Sequence, residues 1–105
     1  MSKYGNKKCE YKGMIFDSYS ECNTYKELEI KQACKMIRNL SRQVVFKLEV
    51  AGDLICKKIV DFTYYDIALD RWVAHEHKGY MTPTESLKLK LFSALFKGWE
   101  LRVTK

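Results

Sequence analysis

The chain has 105 residues, of which 47% are hydrophobic, and its net charge at pH 7 is +6. This length predicts one domain over residues 1–105. No apolar run approaches the roughly 18 residues that a membrane-spanning helix needs, so we expect no membrane segment. The basic surplus excludes little by itself, but it favours a polyanionic partner, most often a nucleic acid.

The N-terminal stretch "MSKYGNKKCEYKG" is polar and rich in lysine. It has no apolar core and no small-residue cleavage site, so we expect no secretory signal and interpret residues 1–12 as a flexible basic arm. The cysteines are widely spaced, with no CxxC pair, which argues against disulfides and against a structural zinc site. Reduced thiols of this kind are typical of a cytoplasmic protein.

The first half of the chain predicts a strand, a helix and a further strand. "GMIFDS" is typical of a short strand, and Ser18 with Glu21 forms the pattern of a helix capping box. Apolar residues at helical spacing then predict a helix to about residue 39. The alternating "QVVFKLEV" predicts a strand that ends at the turn "AGD".

The second half predicts two more strands, a helix and a last strand. "LICKKIVDFTYY" and "WVAHEHK" continue a meander, and Thr82, Pro83 and Glu85 mark the start of a helix. That helix, "ESLKLKLFSALF", is apolar on more than one side, which favours burial between layers or a partner on one face. "KGWELRV" predicts a final strand. The fold class is therefore α+β: helix, three-stranded meander, helix and strand around one mixed sheet.

The strand "WVAHEHK" carries charges that need an explanation. Because side chains alternate between faces, Glu76 and Lys78 share one face with Ala74, and His75 and His77 lie on the other. Charged residues are depleted from strand interiors. This face is therefore either solvated or the place of a functional site.

The strand register decides what Glu76 meets. If the preceding loop consists of residues 67–70, Asp66 faces Arg71, and Asp61 then lies directly opposite Glu76. A shift of one residue would move Asp61 to the other face of the sheet. The predicted register thus brings two carboxylates together, with Lys78 one pleat further along.

Two directly opposed carboxylates repel each other, so we expect a cation between them. Carboxylate oxygens at ~2.0–2.1 Å suit Mg²⁺. Lys78 can then hold or activate a water molecule, or stabilise charge on a phosphate. This combination is the chemistry of metal-dependent phosphodiester hydrolysis.

An aspartate followed at a distance by Glu-x-Lys resembles the signature of the PD-(D/E)XK nuclease superfamily. Within it, the chain is similar to a family of small phage and prophage endonucleases that was long described only as a domain of unknown function. The similar segments run in order over nearly the whole chain: "SKYGNKK", "GMIFDSYSECNTY", "RQVVFKLEV", "IVDFTYYD", "RWVAHEHKGYMT" and "LKLKLF".

The resemblance implies a restriction-endonuclease-like core and assigns roles to particular residues. It implies that Asp61 and Glu76 bind the metal and that Lys78 is catalytic. It also implies that Glu21 contributes a further acidic group and that Gln43 belongs to a motif often found near the site. Each of these roles is an expectation from family similarity.

The third strand of the meander departs from the family pattern. The family often has Glu-Asp-x-Lys where this chain has His75-Glu76-His77-Lys78. Glutamate in place of aspartate lengthens the metal ligand by one methylene. The resemblance therefore does not fix the metal preference or the rate.

Simpler explanations compete for several of these residues. A capping box fully explains a glutamate at position 21. His75 and His77 form a pair that can bind zinc, but no further histidine completes the site, so we interpret them as a polar or DNA-facing pair. Five residues are candidates for DNA contact: Lys7, Lys8, Gln43, Lys88 and Lys90.

The sequence therefore predicts a Mg²⁺-dependent DNA endonuclease, with Mn²⁺ able to replace Mg²⁺. Asp61, Glu76 and the backbone carbonyl of His77 would hold the ion, and Lys78 would position the attacking water. The resemblance implies a phage or prophage enzyme, which we expect in the bacterial cytoplasm. By analogy of fold and size we also expect a homodimer that cuts branched DNA such as Holliday junctions. The alternatives are a non-catalytic nucleic-acid-binding protein on the same fold and a small metal-binding or partner-binding protein.

Overall fold

A computed structural model describes residues 8–105 of the chain. Lys7 and the start of the predicted basic arm lie outside the described residues. The described part begins with a hairpin of two short strands, β1 (Cys9–Tyr11) and β2 (Met14–Phe16). The prediction of a flexible arm is therefore wrong for residues 9–11. Cys9 and Tyr11 alternate along β1 and pack against the hydrophobic core, which holds this segment in place.

Helix α1 (Tyr19–Ala33) begins where the sequence predicts. The Ser18 hydroxyl accepts a hydrogen bond from the Glu21 N–H at 3.1 Å, as in an N-cap. The helix ends at Ala33, however, and not near residue 39. Lys35 has a positive φ of 62°, which turns the chain out of the helix. Strand β3 (Ile37–Val50) then begins, so apolar residues counted toward the helical stripe belong to a strand.

The main sheet has four strands in the order β3-β4-β5-β6. Strands β3, β4 (Asp53–Asp66) and β5 (Arg71–His77) form the predicted antiparallel meander. Helix α2 (Pro83–Leu95) then crosses over, and β6 (Trp99–Thr104) pairs parallel to β5. The predicted α+β class and the mixed sheet are confirmed.

The sheet lies between two hydrophobic cores. One core lies beneath α1 and contains Phe16, Cys22, Leu28, Ile37, Phe62, Tyr64 and Val73. The other lies beneath α2 and contains Leu48, Val60, Ala74 and Phe92. Within residues 8–105, no helix is long and apolar enough to cross a membrane.

Strand β4 changes face at Asp61. Val60 belongs to the α2 core and Phe62 to the α1 core, although residues two apart share a face in a regular strand. The neighbouring strand is irregular at the same level, because Gln43 of β3 has a positive φ of 55°. Asp61 therefore lies at the point where β4 passes from one core to the other.

Candidate active site

The predicted register of the β4–β5 hairpin is confirmed. Asp66 pairs with Arg71, so the loop consists of the four residues 67–70, and the ladder continues to the pair Phe62–His75. The same spacing brings Asp61 opposite Glu76. Beyond the pair Phe62–His75, hydrogen bonds from the backbone to side chains connect the two strands in place of the backbone ladder.

Asp61 and Glu76 each bind the backbone of the opposite strand. Glu76 Oε1 accepts the N–H of Asp61 at 3.1 Å. Asp61 Oδ2 accepts the N–H of His77 at 2.8 Å. Both side chains are buried, Glu76 completely. Because backbone N–H groups hold these carboxylates, their positions are fixed with little rotamer freedom.

Among residues 8–105, Lys58 is the cation closest to Glu76, and no sequence pattern indicated this contact. Its buried ammonium lies 3.0 Å from Glu76 Oε2 and 2.9 Å from Oε2 of Glu85, in the first turn of α2. Regular alternation would place Lys58, three residues before Asp61, on the opposite face. The change of face at Asp61 brings both residues to Glu76. Only knowledge of that irregularity could have revealed Lys58.

Lys78 approaches the same carboxylate from the end of β5. Its Nζ lies 3.9 Å from Glu76 Oε2, and its side chain is about one-third exposed, at 32%. Its backbone N–H donates to the Thr104 carbonyl at 2.9 Å, which ties the end of β5 to β6. Glu76 thus faces one buried lysine and one that reaches solvent.

The electrostatics of the cluster follow from burial. Burial raises the pKa of Glu76, the charge of Asp61 raises it further, and Lys58 opposes both. Burial by itself would lower the pKa of Lys58, but the hydrogen bonds that its ammonium donates to Glu85 and Glu76, and the charges of these carboxylates, outweigh burial, so the net shift is upward. Lys58 therefore stays charged and compensates a carboxylate that is costly to bury.

Glu21 lies close enough to Asp61 to sense its charge. Burial is the main cause that raises the pKa of Glu21, and the charges of Asp61 and Asp17 raise it further. Arg42 Nη2 lies 3.9 Å from its carboxylate. The cap uses the backbone N–H of Glu21, whereas the carboxylate faces Arg42 and lies near enough to Asp61 for that charge to affect its pKa. The capping role and the site role thus use different atoms of one residue.

The two histidines are engaged in hydrogen bonds on the α1 side. His75 is buried, with Nδ1 at 2.9 Å from the Tyr64 hydroxyl and Nε2 at 2.9 Å from the Thr104 hydroxyl. His77 Nε2 lies 2.7 Å from the Ser20 hydroxyl. His75 is thus a buried, hydrogen-bonded residue at the edge of a cavity, which agrees with the interpretation of the two histidines as a polar pair. Both of its ring nitrogens have hydrogen-bond partners.

The oxygen donors suit a hard cation. Asp61 Oδ1 accepts no hydrogen bond from residues 8–105, so it is the oxygen most available to an ion. Glu76 Oε2 already accepts a hydrogen bond from Lys58, so an ion bound to this oxygen would share it with the lysine. Within that same part of the chain, His, Cys, Asp and Glu side chains form no group of three at metal-binding distances. Two carboxylates and the His77 carbonyl remain the candidate donors.

The predicted DNA-contacting residues are dispersed. Gln43 is exposed and lies on β3 beside Asp61. Lys8 is exposed just before β1, whereas Lys88 and Lys90 lie on α2. Lys7 lies outside the described residues. The structure brings Asp61, Glu76, Lys78 and Glu21 together, and it leaves the DNA-binding roles of the other residues as predictions.

The fold and the site define a small α+β protein with a buried cluster of carboxylates and lysines at the end of a β-hairpin. The chain belongs to the family described as "Protein of unknown function (DUF1064)", whose model matches residues 1–105. A search of curated proteins and a search of solved structures each found no match.

Proposed function

We propose that this protein is a metal-dependent DNA endonuclease of the PD-(D/E)XK type, with a restriction-endonuclease-like core. The observation that carries the proposal is the cluster of Asp61, Glu76 and Lys78 in the register expected from the sequence. Buried carboxylates beside a lysine that reaches solvent are costly for stability, which favours a functional reason for them.

Each residue of the cluster has a separate role in the proposed hydrolysis. Asp61, Glu76 and the His77 carbonyl would hold Mg²⁺ or Mn²⁺, since these ions prefer oxygen donors. The ion, when bound, supplies Lewis acidity toward the phosphate and lowers the pKa of a water molecule. Lys78 donates a hydrogen bond to the attacking water or to a phosphate oxygen. Lys58, which is buried, holds Glu76 in place from the protein interior.

Glu21 and Gln43 flank this centre. Glu21 adds a third carboxylate near Asp61, and the charge of Asp61 contributes to the raised pKa of Glu21. Its place at the start of α1 lets it orient the water on the side away from Lys58. Gln43 is exposed at the level of Asp61 and would contact the DNA backbone.

We further propose that the enzyme is a phage or prophage homodimer in the bacterial cytoplasm and cuts branched DNA. Leu87 and Leu95 of α2, eight residues apart and so on one side of the helix, are 67% and 37% exposed, and an apolar side of this kind fits a subunit interface. Two symmetric active sites suit the paired cuts that resolve a Holliday junction. Light scattering of the purified protein tests the dimer directly: the mass of one chain would contradict it.

A non-catalytic nucleic-acid-binding protein is the second candidate. The observation that favours it is the contact between Lys58 and Glu76 at 3.0 Å, which compensates the buried charge without an ion. Under this alternative the cluster is a structural element, and the basic surface alone provides the function.

Cleavage assays separate the two candidates. Labelled four-way junction, linear duplex and single-stranded DNA would be incubated with Mg²⁺, Mn²⁺ or EDTA, using the wild-type protein and the variants Asp61→Ala and Lys78→Ala. Lys57→Ala, at an exposed position on β4, is the matched control. We expect metal-dependent cutting, a rate at least ~100-fold lower in both site variants with DNA binding retained, and full activity in the control. Binding without cutting in every metal would favour the second candidate.

A further inference from the structure

A groove leads away from the candidate active site along α1. The cleft at the site has a volume of about 470 Å³ and is lined in part by Ser20, His77 and Lys105. The same three residues line the next cavity, of about 350 Å³. That cavity shares Lys31 and Arg102 with a pocket of about 300 Å³ at the far end of α1. Because neighbouring cavities share these lining residues, we treat the three as one groove along α1.

The groove is long enough for several nucleotides. Its α1 wall runs from Ser20 to Lys31, and eleven steps of helix at 1.5 Å each span about 16 Å. Strands β5 and β6 form the opposite wall, through His75, His77, Arg102 and Thr104. The groove therefore has walls of regular secondary structure, which keep its shape fixed.

Basic side chains dominate the groove beyond the active site. They are Lys31, Lys35, Arg102 and Lys105, against the acidic residues Glu27 and Asp66. Asp66 is already engaged, since Arg102 lies 3.7 Å from it and the Leu69 N–H donates to it at 3.0 Å. Among residues 8–105, Lys31, Lys35 and Lys105 form no ion pair with a carboxylate. Their charge is available to an anionic partner.

Contacts with neighbouring side chains fix the position of Arg102, which lines two of the three cavities. Its Nη1 donates to the buried Tyr64 hydroxyl at 3.0 Å, and its Nη2 faces Asp66. The side chain is one-third exposed, at 33%. A guanidinium fixed in this way loses little further freedom when it binds a phosphate.

The far pocket adds an apolar floor to this basic rim. Met36 is 55% exposed and Ile67 is 44% exposed, although both are large apolar side chains. The Ile67 N–H donates to the Met36 carbonyl at 3.1 Å, which holds the two residues side by side. An exposed apolar surface next to lysines matches a nucleotide, which combines an aromatic base with a phosphate.

We propose that this groove binds a single strand of nucleic acid that leads away from the scissile phosphate. Lys31, Lys35, Arg102 and Lys105 contact successive phosphates, and the floor of Met36 and Ile67 receives a base. The inference rests on the proposed function in one respect: it places the reacting end of the strand at Asp61 and Glu76. The affinity for the strand itself follows from the groove alone.

Binding in EDTA tests the groove without cleavage. The probe is a fluorescent single-stranded oligonucleotide of about 12 nucleotides, a length within the range that such grooves accommodate. We expect the double variant Lys31→Ala/Lys35→Ala to bind about 10-fold more weakly. The slope of log K against log salt concentration should become shallower by about 1.4, since each single-strand phosphate contact contributes ~0.7. Lys47→Ala/Lys57→Ala, which removes two exposed lysines of the β3–β4 hairpin, should change neither quantity.

The floor is tested by Met36→Ser. This variant should bind several-fold more weakly with an unchanged salt slope, because it removes apolar contact and no charge. Equal weakening by the groove and hairpin variants would show general charge attraction and overturn the proposal. An unchanged affinity in Lys31→Ala/Lys35→Ala would overturn it as well, and so would a preference for duplex that ignores the groove variants.

The two proposals fail in different ways. A protein that binds the strand through the groove but cuts no DNA in Mg²⁺ or Mn²⁺ would refute the nuclease and leave the groove standing. A protein that cuts DNA equally well with and without Lys31 and Lys35 would refute the groove and leave the nuclease standing. If both hold, the double variant should raise KM and leave kcat unchanged, since these lysines do not touch the reacting atoms.

Discussion

Lys58 Nζ lies 3.0 Å from Glu76 Oε2, and both side chains are buried. Each side chain stabilises the buried charge of the other, because an uncompensated buried ion costs several kcal/mol. The pair also ties β4 to β5 and, through Glu85 at 2.9 Å, to the start of α2. The candidate site is therefore built into the framework of the fold.

The first prediction concerns this pair. Lys58→Met removes the ammonium and leaves Glu76 buried without its nearest cation, so we expect a loss of about 3 kcal/mol in the free energy of unfolding at pH 7. Urea denaturation measures it. Lys57→Met, at an exposed position, should change stability by less than about 0.5 kcal/mol. Equal effects of the two variants would mean that Lys58 contributes no more than a surface lysine.

The second prediction concerns the pH dependence caused by Glu21. Its pKa is raised in the folded state, so the folded protein holds this proton more tightly than the unfolded chain does. That contribution is fully present below the unfolded pKa and is lost as the pH rises through the folded pKa. Glu21→Gln should therefore raise the melting temperature at pH 7 and leave it nearly unchanged at pH 4. Glu27→Gln, on the exposed side of α1, is the control; a similar gain there would exclude a specific effect.

The third prediction separates the cap from the carboxylate. Ser18→Ala removes the acceptor for the Glu21 N–H at 3.1 Å and should cost about 1 kcal/mol of stability. DNA cleavage well below the melting temperature should be unaffected, since the Glu21 carboxylate stays in place. Glu21→Gln should show the converse, with the cap intact and cleavage slowed. If both variants slow cleavage equally, Glu21 acts only through the position of α1.

The fourth prediction concerns acid sensitivity. Burial, with the charges of Arg102, His77 and Lys31, lowers the pKa of His75 to about 4. Below about pH 6.5, His75 is therefore protonated in the unfolded chain but still neutral in the folded protein. The free energy of unfolding consequently falls as the pH drops from about 6.5 to about 4. At 1.36 kcal/mol for each pKa unit, the loss amounts to about 3 kcal/mol.

His75→Gln tests this assignment. The variant keeps a polar side chain but cannot titrate, so the slope of unfolding free energy against pH between 4 and 6.5 should flatten. Its stability at pH 7 serves as the reference for any packing loss. An unchanged slope would show that another group causes the acid sensitivity.

Local patterns in the sequence predicted what depends on local geometry. Ser18 and Thr82 cap the two helices as expected, each accepting an N–H three residues later at 3.1 Å. The register of Asp61 and Glu76 followed from a four-residue loop and strict alternation. The predicted end of α1, near residue 39, is wrong because Ile37 and Leu40 fit the apolar spacing of a helix as well as that of a strand.

Lys58 and Glu85 show what sequence patterns could not reveal. Glu85 carries the signature of a helix start, and only the packing of α2 on the sheet brings its carboxylate to Lys58. Lys58 itself is displaced from its expected side by the irregularity at Asp61. Both contacts depend on tertiary structure, which a period of two or 3.6 residues does not encode.

The passage of β4 from one core to the other has a consequence for when the site can exist. Val60 is secured by the layer under α2 and Phe62 by the layer under α1, and Asp61 is the residue between them. The backbone at Asp61 is thus defined only after both layers have packed. A partly folded chain with a single layer in place would have all the acidic residues and no assembled centre, so the proposed nuclease activity would appear only when the whole fold is complete.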